Sequence, residues 1–161
     1  MKIIAGGYKG RIIKMPDGIR PTSDKVRESL FEILKNRIEG ASFLDLYSGS
    51  GAVGIESLSR GAKKVVFVEN NRNCVSLLKA NLIKLGVSEI SYGVYSKDCI
   101  NSINTLQRLG SRFDIVFLDP PYYTGLAKNT LIELSSYDIL TPNVLVIAKK
   151  NKKESLPEEL G

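Results

Sequence analysis

Asp119, Pro120, Pro121 and Tyr122 follow directly on Ile115-Val116-Phe117-Leu118, an apolar run suited to a fully buried parallel strand. An acid, two rigid prolines and an aromatic ring at a strand end suit recognition of a planar amine. The exocyclic amine of a nucleobase has two N–H donors in one plane, and an Asp119 oxygen with the Pro120 carbonyl can accept both. The prolines fix φ, so the turn is ordered before a substrate arrives. Tyr122 offers a flat face for stacking, worth about 1–3 kcal/mol per base. A base inside a duplex would have to flip out to reach it. Drawing electron density toward that nitrogen suits in-line attack on a methyl group and needs no histidine base, and the sequence contains no histidine. The plain alternative is a loop in which Asp119 caps a helix and Tyr122 packs.

Three more acids stand where strands are expected to end: Asp45 in "DLYSGSGAVG", Glu69 after "KKVVFV", and Asp98 after "YGVYSK". The glycines let backbone N–H groups approach a ligand, and the helix behind them favours an anionic group. Glu69, fifteen residues after Gly54, is placed to accept both hydroxyls of a ribose. Gly49 to Gly54 also satisfies GxGxxG, a weak sign of a dinucleotide site. Asp45 tips the balance, because a carboxylate repels a pyrophosphate and attracts an ammonium. S-adenosylmethionine, with its ammonium, sulfonium and ribose and no phosphate, suits this rim better.

The elements that must position these groups can be read from the same sequence. "MKIIAGGYKGRIIKMPDG" predicts a β-hairpin ending at the Asp17-Gly18 turn. A helix follows Pro21 with Thr22 or Ser23 as N-cap, an apolar face of Val26, Leu30, Ile33, Leu34 and Ile38 with Phe31 alongside, and Gly40 as its stop. From Ala41 strands alternate with helices: strands in "SFLDLYS", "KKVVFVE", "EISYGVYS", "FDIVFLD" and "NVLVIAKK", and helices ending near Arg60 and over 71–85, 98–109 and 126–136. This alternation predicts an α/β fold, a doubly wound and mostly parallel sheet with right-handed crossovers. One domain over 1–161 is expected: a basic extension over 1–40 and a catalytic core over 41–161.

The 161 residues suffice for a single core, and 43% apolar with 25% charged residues is ordinary for a soluble protein. No apolar run has membrane-spanning length and no signal-peptide pattern opens the chain, so a cytoplasmic protein is expected. Cys74 and Cys99 have no metal-ligand spacing and read as reduced, buried thiols; no metal is expected. The net charge of +6 includes Lys2, Lys9, Arg11 and Lys14 without an acid among residues 1–14, and four lysines over 149–153. Such patches suit a polyanion, though a solvated face is the plainer reading of the second.

"DLYSGSGAVGIESLSRG", "VVFVE" and "FDIVFLDPPY" together resemble class I S-adenosylmethionine-dependent amino-methyltransferases with a DPPY motif. "IIAGGYKGRIIKMPDGIRPTSDKVRESLFEIL" is more specific and resembles the opening of the RsmD family, bacterial 16S ribosomal RNA guanine-N2 methyltransferases. The resemblance implies a Rossmann-like fold. It also implies Asp45, Ser48, Gly49 and Gly51 at the methionine end of the cofactor, Glu69 at the ribose, and Asp98 with the Cys99 backbone at the adenine. Asp119, Pro120 and Tyr122 would hold the guanine. Arg20, Thr22 and Arg27 match a box near the cofactor and substrate mouth, and the hairpin around Lys9, Gly10 and Arg11 would grip RNA phosphates. The implied partner is 16S ribosomal RNA, free or in an assembling 30S subunit, met by a monomer. The sequence departs from the family in ending at "LPEELG", so the final antiparallel hairpin is expected to be missing, and in carrying Lys149 where an acid is usual.

Three other readings stay open. An adenine-N6 methyltransferase shares the DPPY box but leaves no room for a DNA target-recognition domain. A dinucleotide-dependent oxidoreductase would use GxGxxG for a pyrophosphate. A catalytically silent RNA-binding module would keep the basic hairpin and lose the pocket.

Overall fold

A computed structural model describes residues 1–18, 22–121 and 124–149. Five strands, β1 (Ser42–Leu46), β2 (Lys64–Val68), β3 (Tyr92–Tyr95), β4 (Phe113–Leu118) and β5 (Leu140–Ala148), pair in the order β3-β2-β1-β4-β5. Every strand pair in this sheet is parallel. The helices are α1 (Asp24–Leu34), α2 (Ala52–Ser59), α3 (Arg72–Leu85), α4 (Cys99–Arg108) and α5 (Leu126–Ser136). The chain steps outward from β1 to β2 and β3, then returns to β4 on the other side of β1. That reversal opens a crevice at the carboxyl ends of β1 and β4.

Period-2 alternation divides the strands between two cores. Phe43, Val65, Phe67, Ile115 and Phe117 pack with α1, α2 and α3 through Phe31, Ile55 and Leu78. Leu44, Val66, Val116 and Leu118 pack the other way with α4 and α5 through Ile103, Leu131 and Leu134. Helices on both faces explain why the strands read as unbroken apolar runs. Asn71 caps α3 through Cys74 N–H at 3.1 Å, and Gly86 closes it in the left-handed conformation, just past the predicted end at residue 85.

The N-terminal segment differs from expectation. The chain does reverse over residues 5–10, between Ile3-Ile4 and Ile12-Ile13, but its antiparallel pairing is a single bridge, Lys2 with Ile12, where two strands were expected. The reason is competition for donors. Ile4 and Ala5 N–H donate to the buried Glu56 carboxylate of α2, and Tyr8 N–H donates to Ser59 Oγ. A backbone tied to a helix in this way cannot extend a ladder.

α1 also turns a different face inward. Its buried stripe is Arg27, Leu30, Phe31 and Leu34, while Val26 and Ile33 are exposed, and the helix ends at Leu34 well before Gly40. Arg27 completes the i, i+3, i+4, i+7 pattern, and its charge hid that stripe from a hydropathy reading. At the sheet edge β5 starts earlier than predicted. The register against β4 shifts between Phe113 and Ile115, and this irregularity accommodates Pro142 within β5. Glu89–Ser91, expected within the third strand, form a 3-10 turn instead.

Candidate functional site

A cleft of about 700 Å³ opens at the carboxyl ends of β1, β2 and β4. Its wall brings together predicted residues that lie far apart in sequence: Thr22, Ser48, Gly49, Glu69, Asp119 and Pro120. Gly51 lies just behind this wall, in the left-handed conformation at φ +91°, and caps α2. Gly54 sits where a Cβ would stand 2.2 Å from the Phe67 ring, so only glycine lets α2 approach β2 this closely.

Glu69 is the keystone of the turn. Its Oε1 accepts Gly49 N–H at 2.9 Å and its Oε2 accepts Asn71 N–H at 2.9 Å. Ser48 N–H reaches Val68 O at 3.0 Å, fixing the turn to the end of β2. Both Glu69 oxygens are thereby oriented, and each keeps a lone pair for a ligand hydroxyl.

Asp45 lies within β1 beneath the turn. It is 1% exposed, and its Oδ2 accepts Gly54 N–H at 3.0 Å. Burial holds its carboxyl well above the usual range; the Gly54 N–H opposes this, and the charges of Asp119 and Glu69 add to it. A cation bound above the turn would stabilise its charged form.

Asp119 stands just past the end of β4, 22% exposed at its side chain. Its Oδ2 lies 3.4 Å from Thr22 Oγ1 and 3.5 Å from Lys149 Nζ. Burial raises its carboxyl from the ordinary value, with Lys149 and then Thr22 pulling it back. Asp119 shares the cleft wall with Pro120 and Pro121.

Other predicted residues stand outside the cleft wall. Asp98 is exposed and caps α4, its carboxylate taken by Asn101 N–H at 2.9 Å and Asn101 Nδ2 at 2.6 Å, which lowers its pKa. Cys99 is buried beside Tyr47, and burial pushes its thiol up to about 11. Lys9 and Arg11 are exposed on the N-terminal segment, with Arg11 Nη2 on Lys84 O at 3.1 Å. Arg20 and Tyr122 lie outside the described residues.

Arg27, grouped by the resemblance with residues near the cofactor and substrate mouth and so expected to meet substrate or RNA, requires a correction. Its side chain is fully buried, with Nη1 3.4 Å from Glu56 Oε2 and Nη2 on Asp24 and on Lys2 O. A guanidinium enclosed by these partners is not available to a phosphate backbone, so it ties α1 to α2 and the N-terminus.

The structure also adds residues that the sequence reading passed over. Met15 and Pro16 line the cleft, so the N-terminal segment walls the site. Asn81 on α3 holds that segment in place: Oδ1 accepts Lys14 N–H at 2.9 Å, and Nδ2 donates to Lys14 O at 3.0 Å and Ser50 O at 3.3 Å. One amide therefore joins the N-terminal wall to the glycine turn. Tyr47 takes φ +59°, unusual for a bulky side chain, with its hydroxyl 2.7 Å from Thr130 Oγ1 on α5. Asn81 and Glu56 carried a signal, being polar residues at apolar helix positions; Tyr47 carried none. Among the described residues no group of three or more His, Cys, Asp or Glu side chains could hold a metal ion, and no helix is long and apolar enough to cross a membrane.

The model of the family described as Conserved hypothetical protein 95 matches residues 1–161. The chain belongs to this family. A Haemophilus influenzae relative named ribosomal RNA small subunit methyltransferase D is 38% identical, over 97% of this chain and 81% of that one. The Escherichia coli protein of the same name is 35% identical, over 98% of this chain and 78% of its own length. The solved structure of a hypothetical protein from Thermus thermophilus superposes with a TM-score of 0.87 at 31% identity, covering 98% of this chain and 90% of that one. The family resemblance and Rossmann-like fold read from the sequence are both borne out.

Proposed function

We propose that this protein is an S-adenosylmethionine-dependent methyltransferase that modifies the exocyclic N2 of a guanine in 16S ribosomal RNA. Family membership, and two relatives named as small-subunit ribosomal RNA methyltransferases, support the RNA substrate and the enzyme class. The observation that carries the chemistry is the shared cleft. An ordered glycine turn under Glu69 and the Asp119-Pro120 acceptor pair line one cavity.

The donor set fits the cofactor. Glu69 offers two oriented oxygens to ribose hydroxyls. Ser48, Gly49 and Gly51 shape the methionine end, with the Asp45 charge beneath favouring its ammonium. Asp98 and the Cys99 backbone are assigned to the adenine, at the far end of the same rim. When bound, S-adenosylmethionine supplies a methyl carbon activated by the sulfonium it departs from. Asp119 and the Pro120 carbonyl accept the two N–H groups of the base amine, orienting its lone pair. The methylated nitrogen must shed one proton, and burial makes the Asp119 carboxylate a better acceptor for it than an exposed acid. Tyr122 is assigned the stacking face. Lys9, Arg11, Arg20 and Thr22 are assigned to the RNA side, with the protein acting as a cytoplasmic monomer on 16S RNA, free or in an assembling small subunit.

The test uses small subunits from a strain lacking the enzyme, purified protein and methyl-labelled S-adenosylmethionine, with the labelled base mapped. Label at guanine N2 of 16S RNA is expected. Label at adenine N6, or on DNA, would overturn the substrate assignment.

A further inference from the structure

We propose that Lys149 is a positioning residue for the transfer: its ammonium holds the Asp119 carboxylate in the orientation that meets the acceptor amine. This rests on the reading of Asp119 given above. The register of the sheet makes the arrangement. β5 pairs with β4 up to Ala148 opposite Leu118, and Lys149 N–H then donates to Leu118 O at 2.9 Å. The Lys149 backbone is therefore fixed beside the residue preceding Asp119, and its side chain runs into the cleft to place Nζ 3.5 Å from Asp119 Oδ2. Thr22 Oγ1 approaches the same oxygen at 3.4 Å from the opposite wall. Both contacts fall on Oδ2, which leaves Oδ1 for the incoming N–H.

The charge pattern gives the contact its purpose. Glu69 and Asp119 line this cleft, and Asp45 lies buried beneath it. Burial disposes the Asp119 carboxylate to take up a proton, and its protonated oxygen would then present a donor to the amine. A cation at 3.5 Å opposes this. The pair contributes little to stability, since Lys149 and Asp119 keep 29% and 22% of their side-chain surface exposed to screening water. Removing the Lys149 ammonium is therefore expected to leave the fold intact.

The experiment compares wild type, Lys149→Met, Lys149→Arg, Asp119→Asn and the Lys149→Met/Asp119→Asn double variant on unmethylated small subunits, by single-turnover label transfer at saturating cofactor. Lys149→Met is expected to lose roughly 10- to 100-fold in rate, with KM for the particle and cofactor affinity changed by less than about threefold. Lys149→Arg should recover most of the rate. In the Asp119→Asn background Lys149→Met should cost nothing further, because the group it positions is gone. A loss that falls on KM, or a rate factor that is the same in both backgrounds, would overturn the proposal while transfer by wild type still upholds the methyltransferase reading. Failure of wild type to label any RNA would remove that reading and this inference together.

Discussion

The two walls of the cleft are built differently. On the cofactor side, acids are held by backbone N–H groups of nearby turns: Glu69 by Gly49 and Asn71, Asp45 by Gly54. On the acceptor side, Asp119 is held by side chains from remote segments, Thr22 before α1 and Lys149 after β5. Backbone donors are fixed once the turn folds and cost no side-chain entropy, whereas long side chains from separate elements do. The first wall is therefore preformed. The second is assembled from segments far apart in the chain, which suits a surface that must admit a flipped base.

Four predictions would break or sharpen this contrast. Asp119→Ala should reduce transfer by about a thousandfold or more, since the amine loses an orienting acceptor, while cofactor affinity measured by calorimetry stays within a few-fold. Equal loss of both would make Asp119 part of the cofactor wall. Glu56→Ala should destabilise the fold by about 3–5 kcal/mol in urea unfolding, because it removes the buried carboxylate partner of Arg27 Nη1 and leaves Ile4 and Ala5 N–H without their acceptor. A change below about 1 kcal/mol would mean that the N-terminal wall stands without this anchor.

Glu69→Ala should weaken cofactor binding by roughly 10- to 100-fold, removing both the ribose acceptors and the acceptor that orders Gly49. An unchanged affinity would remove Glu69 from the ribose. The smallest effect concerns Asp45. Its folded-state pKa is raised, so between the ordinary aspartate value and that raised value the folded protein holds a proton that the unfolded chain does not. Stability of the unliganded protein should therefore rise as pH falls through that window, and Asp45→Asn should flatten this slope while weakening cofactor binding. A slope unchanged by the substitution would place the proton elsewhere.

Arg27 shows where sequence reading stops. A hydropathy pattern chose Val26 and Ile33 for the inner face of α1, whereas the fold buries Arg27 because Glu56, Asp24 and Lys2 O satisfy it together. Its partners lie on three segments, and no local pattern announces their meeting. Asp98 shows the converse. An acid before a helix is legible as a cap, and it is one, so its place at a strand end did not bring it into the cleft wall. Asn81 and Lys149 became part of the site description only through contacts with residues 67 and 30 positions away.

The sequence by itself determined the layered fold and the end of the sheet that carries the site. Alternating strand and helix patterns leave parallel crossovers as the way to bury both faces, and the acids Asp45, Glu69, Asp98 and Asp119 fall at one end of the first four strands. Tertiary structure alone decided which acid faces the cleft, which lies beneath it, and which cation stands beside Asp119. Those outcomes depend on strand register and on how distant polar groups satisfy one another once water has been excluded.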